Sequence, residues 1–254
     1  MITRNQMAKM LNANVGPARM GDRTAVRKHH PVLGYFPTLF TPEQGTILCL
    51  NFTSEYTRGG VVQDLSPQEN HATLVTPSLV AGGPFTQNFD LNGSSSKATC
   101  SSGFDGLVDS TVTVEAWVYP AAGSGQQGIL SCPSWTNHVS FYVRHSAGQD
   151  VNMALNKGGV NYSGARGTLT YGMWHYLVGV IDVDAGTNWI YSNGELLASG
   201  SVSGTSYDYT SSSLNLFHTG SLSLPRYLEG GGAAIRVTNR AKTVDEIREY
   251  YYGF

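Results

Sequence analysis

The chain has 254 residues, enough to bury a core of its own without disulfide or metal staples. Charged residues make up only 13%, beside 30 Gly, 14 Tyr and 4 Trp, a balance that suits β-structure and turns better than long solvated helices. A net charge of −2 argues against direct nucleic-acid binding by the chain as a whole. No run approaches the roughly 18 apolar residues of a membrane span.

The charge is unevenly spread. Residues 1–44 hold six Lys/Arg and two acids, a net of +4, and the remainder holds ten Lys/Arg and sixteen acids, a net of −6. Residues 1–44 therefore read as a basic, Pro-punctuated arm, and residues 45–254 as the domain. Thr3–Leu11 can form one short helix, which Gly16-Pro17 ends. Residues 23–30 (RTAVRKHH) are basic, and residues 32–40 (VLGYFPTLF) are extended and partly apolar. Such a stretch cannot build a core alone; it suits lying along a partner or along its own domain. The residues assigned to anchoring are Arg4, Lys9, Arg19, Arg23, Arg27, Lys28, Tyr35, Phe36 and Phe40. The opening lacks the apolar stretch of a secretory signal, which points to synthesis in the cytosol.

From Gly45 onward the pattern is that of strands. Thr46–Phe52 is a compact apolar run. In Thr111–Tyr119, Val112, Val114, Ala116 and Val118 share one face and Thr113, Glu115, Trp117 and Tyr119 the other. Ser140–Arg144 and Trp174–Asp182 follow. Asn193-Gly194 marks a hairpin over residues 188–197, and Leu214–Phe217 and Ala234–Val237 close the series. Thr243 with Glu246 three residues later forms a capping box, which predicts one helix at the C-terminal end. Short strands separated by Gly/Ser-rich turns predict an all-β antiparallel sandwich. Cys49, Cys100 and Cys132 lack metal or disulfide-framework spacing and read as buried small apolar residues.

Several segments occur in an order that resembles the laminin-G-like jelly-roll family of the concanavalin A-like lectin/glucanase superfamily. They are GTILCLNF at 45–52, VQDLSPQENHATL at 62–74, FDLNGSSS at 89–96, VTVEAWVYP at 112–120, GMWHYLV at 172–178, IYSNGEL at 190–196 and IRVTNRAKT at 235–243. The resemblance implies a jelly roll; it implies little about function, because this fold hosts lectins, receptor modules, hydrolases and structural parts. It also implies a structural calcium ion in many members. Here Ala233 and Ala234 stand where the family often has an Asp-Glu pair, which weakens that expectation. Asp64 and Asn70 remain the oxygen ligands on offer, and no cofactor is required.

The superfamily's glucanases carry E-x-D-x-x-E or E-x-D-x-E on one strand, because a retaining glycosidase needs two carboxylates about 5–5.5 Å apart. No such string is present. Glu115 stands alone on its strand, and Asp182 and Asp184 precede Ala185-Gly186 as turn residues. G-x-S-x-G, GxxxxGK and H-E-x-x-H are also missing. A non-enzymatic protein is expected. Sugars are held by aromatic faces with a few fixed polar groups, and Trp135, Tyr162, Tyr207, Asp208, Tyr209, Arg226 and Tyr227 supply that chemistry near loops.

The opening I-T-R-x-Q-M-x-x-x-L (Ile2 to Leu11) resembles N-termini of structural proteins from tailed marine phages. The expectation is a virion decoration protein: the arm docks to a capsid or tail, and the lectin-like domain faces outward and binds glycans. Symmetric oligomers are common in such particles. A free carbohydrate-binding or adhesion module at the cell surface is the alternative. A hydrolase resting on Glu115 or Asp182 is the third.

Overall fold

The computed structural model describes residues 38–76, 78–101, 111–121, 125–131, 137–145, 150–157, 160–202, 213–219 and 226–253, with backbone alone at a few strand positions. The first strands are β1 (Thr46–Asn51), β2 (Thr57–Arg58), β3 (Val61–Val62), β4 (Ala72–Val75), β5 (Leu79–Ala81), β6 (Gln87–Asn92) and β7 (Lys97–Cys100). The long central strands are β8 (Thr111–Pro120), β9 (Gly125–Ser131), β10 (Asn137–His145), β11 (Asp150–Lys157), β12 (Val160–Thr168) and β13 (His175–Asp182). Then come β14 (Thr187–Ser192), β15 (Glu195–Ser201), β16 (Leu214–Leu216), β17 (His218–Thr219), β18 (Arg226–Tyr227) and β19 (Glu229–Thr238). Helix α1 (Val244–Tyr252) ends the series with the expected capping box, Thr243 and Glu246 each bonding the other's backbone N–H.

Two antiparallel sheets form the sandwich. Sheet A has the order β15-β14-β13-β8-β19-β6-β5, with β1 also paired to β19. Sheet B has the order β12-β11-β10-β9-β16-β7-β4-β3-β2, and β17–β18 make a separate ribbon. The alternation read in β8 is obeyed. Val112, Val114, Ala116 and Val118 join Phe141, Val143, Val151, Met153, Leu177 and Ile235 in the core between the sheets. The glycine run at 230–232 has a packing cause at two positions. A Cβ on Gly231 would lie 2.8 Å from the Trp174 ring, and one on Gly232 would lie 2.4 Å from the Phe217 ring. Ala233 and Ala234, where the family often has acids, are fully buried.

The other face of sheet A carries a second apolar cluster. Phe40, Trp117, Tyr176, Val178, Val180, Tyr191 and Ile247 pack there, with Tyr250 and Tyr251 of α1 against them. At its centre lies an ion cluster. Glu115 is wholly buried and accepts from Arg236 Nε at 2.6 Å and Nη2 at 2.7 Å. Lys242 Nζ stands 2.9 Å from the same carboxylate, and the Tyr176 hydroxyl donates to it. Burial alone would raise the Glu115 pKa; the Arg236 and Lys242 charges and the bonds from Arg236 and Tyr176 overcome that and hold it at about 2. Glu43 faces Lys242 Nζ at 2.7 Å, and the Thr41 carbonyl accepts from Arg236 Nη1.

This cluster corrects two sequence-based expectations. The compact unit runs from Pro37 to Phe254, so the boundary drawn at Gly45 lies inside it. Phe40 does not anchor a partner: its ring is fully buried in its own domain, 4.7 Å from the Arg236 guanidinium and 5.1 Å from the Tyr250 ring. Its backbone is held by Asn51, whose side chain bonds both the N–H and the C=O of Phe40. The other assigned anchoring residues, Arg4 to Phe36, lie outside the described residues. Cys49 and Cys100 are free and buried as read, burial pushing the Cys49 thiol up to about 12; Cys132 lies outside the described residues.

Two outcomes are expected in urea unfolding. Phe40→Ala should cost about 3–5 kcal/mol, as for a fully packed aromatic. The Glu115 carboxylate has a folded pKa near 2 against an ordinary 4.5. Its contribution is therefore complete above pH 4.5 and lost as pH falls towards 2, and Glu115→Gln should flatten that limb of the stability profile.

Candidate functional site

The chain covers the outer face of sheet A with its own helix and residues 38–44. Neither apolar cluster draws a residue from the outer face of sheet B. There the register aligns one residue from each strand. Arg58 faces Val61, Val61 faces Thr73, Thr73 faces Thr99, and Thr99 faces Asn215. The row continues through Ser131, Ser140, Ala154 and Ser163. Facing residues of an antiparallel pair share a face. From Arg58 to Asn215 the row is exposed or half-buried, over five strands and roughly 19 Å at about 4.8 Å per strand, whereas Ser131 and Ser140 are buried.

A second row runs beside it through Gly128, Tyr142, Asn152 and Arg166. The inner neighbours of Asn152, Val151 and Met153, belong to the core, so Asn152 points to the outer side. Asn152 is 1% exposed, and neither its Nδ2 nor its Oδ1 has a hydrogen-bond partner. An unmade bond on a buried amide costs about 1–3 kcal/mol, which singles this residue out. Arg166 is half-exposed, with Nε 3.8 Å from Asp150.

The β17–β18 ribbon packs on β9, where Ser131 Oγ donates to the His218 carbonyl at 2.8 Å. His218 is buried against the Tyr227 ring at 4.5 Å, and both its ring nitrogens lack a partner. Burial first, and then the Lys97 charge, lower its pKa to about 4. Of the residues assigned to ligand binding, Arg226 and Tyr227 therefore fall at this face, half-buried, on β18. Tyr162 lies on β12 opposite Leu155. Trp135, Tyr207, Asp208 and Tyr209 lie outside the described residues.

Asp64 and Asn70 do come together. Asp64 Oδ1 accepts from the N–H groups of Cys49 and Ser66, and Oδ2 from Ser66 Oγ at 2.6 Å and the Asn70 N–H at 2.8 Å. Both oxygens are thus engaged in fixing the loop after β3, a job Asp does in turns. Among the described residues no group of three or more His, Cys, Asp and Glu could hold a metal ion. Asp182 Oδ1 accepts from the Ala185 N–H as a turn residue, and Glu115 is sealed inside its ion cluster. Sequence reading missed Asn152, Tyr142, Arg166, Lys97 and His218. The alternation D-V-N at 150–152 is the one local signal, and it does not say which face turns away from the core.

A family model described as Laminin_G_3, of the concanavalin A-like lectin/glucanases superfamily, matches residues 92–248. Among curated proteins no sequence matches the chain. Solved structures share the fold at low identity. Domain 4 of AbnA, an extracellular GH43 arabinanase from Geobacillus stearothermophilus solved in complex with arabinotriose, is 17% identical with a TM-score of 0.64, over 83% of this chain and all of that one. The binding domain of botulinum neurotoxin DC, solved in complex with SialylT, is 12% identical with a TM-score of 0.63, over 83% of this chain and 52% of that one. The same domain in complex with rat synaptotagmin II matches at 12% and 0.63, over 82% and 51%. The chain spans about half the length of these neurotoxin domains.

The neutral His218 ring leads to one expectation. With a folded pKa near 4 against an ordinary 6.5, the unfolded chain takes the proton first. Stability should be full above pH 6.5 and fall between pH 6.5 and 4. His218→Leu should flatten that interval in urea titrations at stepped pH, leaving the part due to buried His175, whose pKa burial also lowers.

Proposed function

The chain belongs to the concanavalin A-like lectin/glucanases superfamily, and from that premise we propose that it is a non-enzymatic module that binds a glycan on the outer face of sheet B. One observation carries this reading: the exposed or half-buried row of Thr73, Thr99 and Asn215 on the outer face of sheet B, which neither apolar cluster covers. Hydroxyl and amide groups both donate and accept, as sugar hydroxyls do, and the short side chains at Thr73, Thr99 and Asn215 leave this part of the sheet open to a sugar. Solved relatives of this fold carry arabinotriose and SialylT, which favours a saccharide here. The non-enzymatic reading is supported by the state of Glu115, which is saturated and out of reach of water.

The basic residues Arg4 to Lys28 suit attachment to an acidic surface of a larger particle, a capsid or tail, and the N-terminal resemblance supports placing the module on a virion. A module held in many copies on a particle gains avidity from weak single sites.

Binding of the full chain to a panel of immobilised polysaccharides, followed by calorimetry on the best one, tests the glycan reading. Thr99→Trp fills the row at a half-exposed position and should weaken binding at least tenfold, about 1.4 kcal/mol, without moving the melting temperature. Release of new reducing ends should stay at background. Binding that ignores Thr99→Trp would place the ligand elsewhere, and no binding to any polysaccharide would remove the reading.

A further inference from the structure

Sheet A ends in β15 and β5, and sheet B ends in β12 and β2. A strand at the end of a sheet leaves a row of backbone N–H and C=O groups unpaired, and proteins commonly guard such rows with a charge, a proline or a neighbouring element. β15 and β12 guard one another, since a Cβ on Gly167 of β12 would come within 2.5 Å of the Leu197 side chain of β15. β2 carries Arg58. Among the described residues β5 has neither protection. Residues 78–83 (SLVAGG) hold no charge and no proline. A Cβ on Gly82, just past the strand, would meet nothing within 4 Å.

The pairing of β5 with β6 fixes which backbone groups are left over. The Ser78 carbonyl accepts from the Asp90 N–H at 2.7 Å, and the Thr86 carbonyl from the Gly82 N–H at 2.8 Å. Bonded pairs recur at every second residue of an antiparallel ladder, so Val80, facing Asn88, turns its own N–H and C=O towards β6. The N–H and C=O of Leu79 and Ala81 therefore point away from the sheet, and among the described residues nothing bonds them. Leu79 faces buried Phe89 and packs on the core between the sheets. Val80 therefore lies on the outer side of sheet A, where it is 37% exposed.

We infer that β5 pairs with the β5 of a second copy of this chain, antiparallel about a two-fold axis through Val80. In this register Leu79 of one copy faces Ala81 of the other, and each such pair exchanges both of its free bonds. Val80 meets its own copy between them as a non-bonded pair, with Cα atoms about 4.5 Å apart, and the two exposed side chains cover each other. A copy of β5 thus brings a second uncharged edge and a second exposed valine to the same place. Asp90, the one charge on β6, stands level with Ser78. The antiparallel arrangement leaves its two copies roughly 20 Å apart, beyond the screening length at physiological salt. The axis stands normal to sheet A, so the two sheets A join into one. Both sheet B faces then look the same way, with both Thr38 residues on the opposite side. The inference uses no residue of the row on sheet B and is independent of the glycan reading.

So short a ladder makes a weak pair, and sedimentation velocity of the full chain from about 1 to about 200 µM should show monomer giving way to dimer. Val80→Lys, at an exposed position, puts two charges at the axis and should leave a monomer throughout, with an unchanged melting temperature. Val80→Cys supplies a separate reading, because facing residues of a non-bonded pair stand at a Cα separation that a disulfide accepts. Mild oxidation should link this variant into a covalent dimer. Val75→Cys, on sheet B and similarly exposed at 39%, should stay unlinked, as should the unaltered chain. A chain that remains monomeric across the range overturns the inference. A dimer that survives Val80→Lys, a dimer in which Val80→Cys does not link, or linkage of Val75→Cys as fast as Val80→Cys places the contact elsewhere and overturns it too. So does a trimer, which a two-fold axis cannot build.

Discussion

Burial of one carboxylate organises this molecule. Glu115 sits in the middle of sheet A with no access to water, where an isolated charge would be untenable. It is tolerated because Arg236 meets it in a two-point grip from the adjacent strand, Lys242 approaches from the segment before the helix, and Tyr176 donates from the strand on the other side. Each of these partners belongs to a different element. Their second contacts, Thr41 and Glu43, bring in the residues ahead of β1. One buried charge thus fixes β8, β13 and β19, the entry to α1 and the N-terminal edge of the domain relative to one another.

The consequence is a sandwich with unlike outsides. Over sheet A the chain builds a second core from Phe40, Trp117, Tyr176 and the helix tyrosines, and the cations there are all spoken for. Over sheet B the strands present short polar residues, and Arg58 and Lys97 have no ion-pair partner among the described residues. The buried cluster also disposes of Glu115 as a catalyst: a proton donor needs an elevated pKa and a path to substrate, and this carboxylate has neither.

Much of the fold was legible because its signals are local. The strict alternation of Thr111–Tyr119, the Asn193-Gly194 turn and the Thr243/Glu246 box each fit within a few residues, and each is obeyed. The site was not legible in the same way. Thr73, Thr99, Ser131, Ser140 and Asn215 are ordinary residues scattered over the sequence, and only strand register brings them into line. Phe40 failed for a related reason. It sits in an apolar run beside a basic stretch, which suggests an outside partner; its true partners, Tyr176, Arg236 and Tyr250, lie far along the chain. Arg226 and Tyr227 were singled out from their chemistry and lie on β18, whereas His218 and Asn152 stand out only once burial and missing partners are visible.

The position of Thr38 has a mechanical consequence. Its carbonyl is held by the Tyr250 hydroxyl on the helix side of the sandwich, and sheet B looks the other way. In the proposed arrangement, a pull between a ligand on sheet B and an attachment ahead of Thr38 passes through the whole thickness of the domain. It loads the packing between the sheets and then, in series, the contacts of Phe40, Thr41 and Glu43 with the buried ions. The cluster that sets the fold is then also the clamp against peeling, and the residues ahead of β1 are the first to take the strain of a tethered grip.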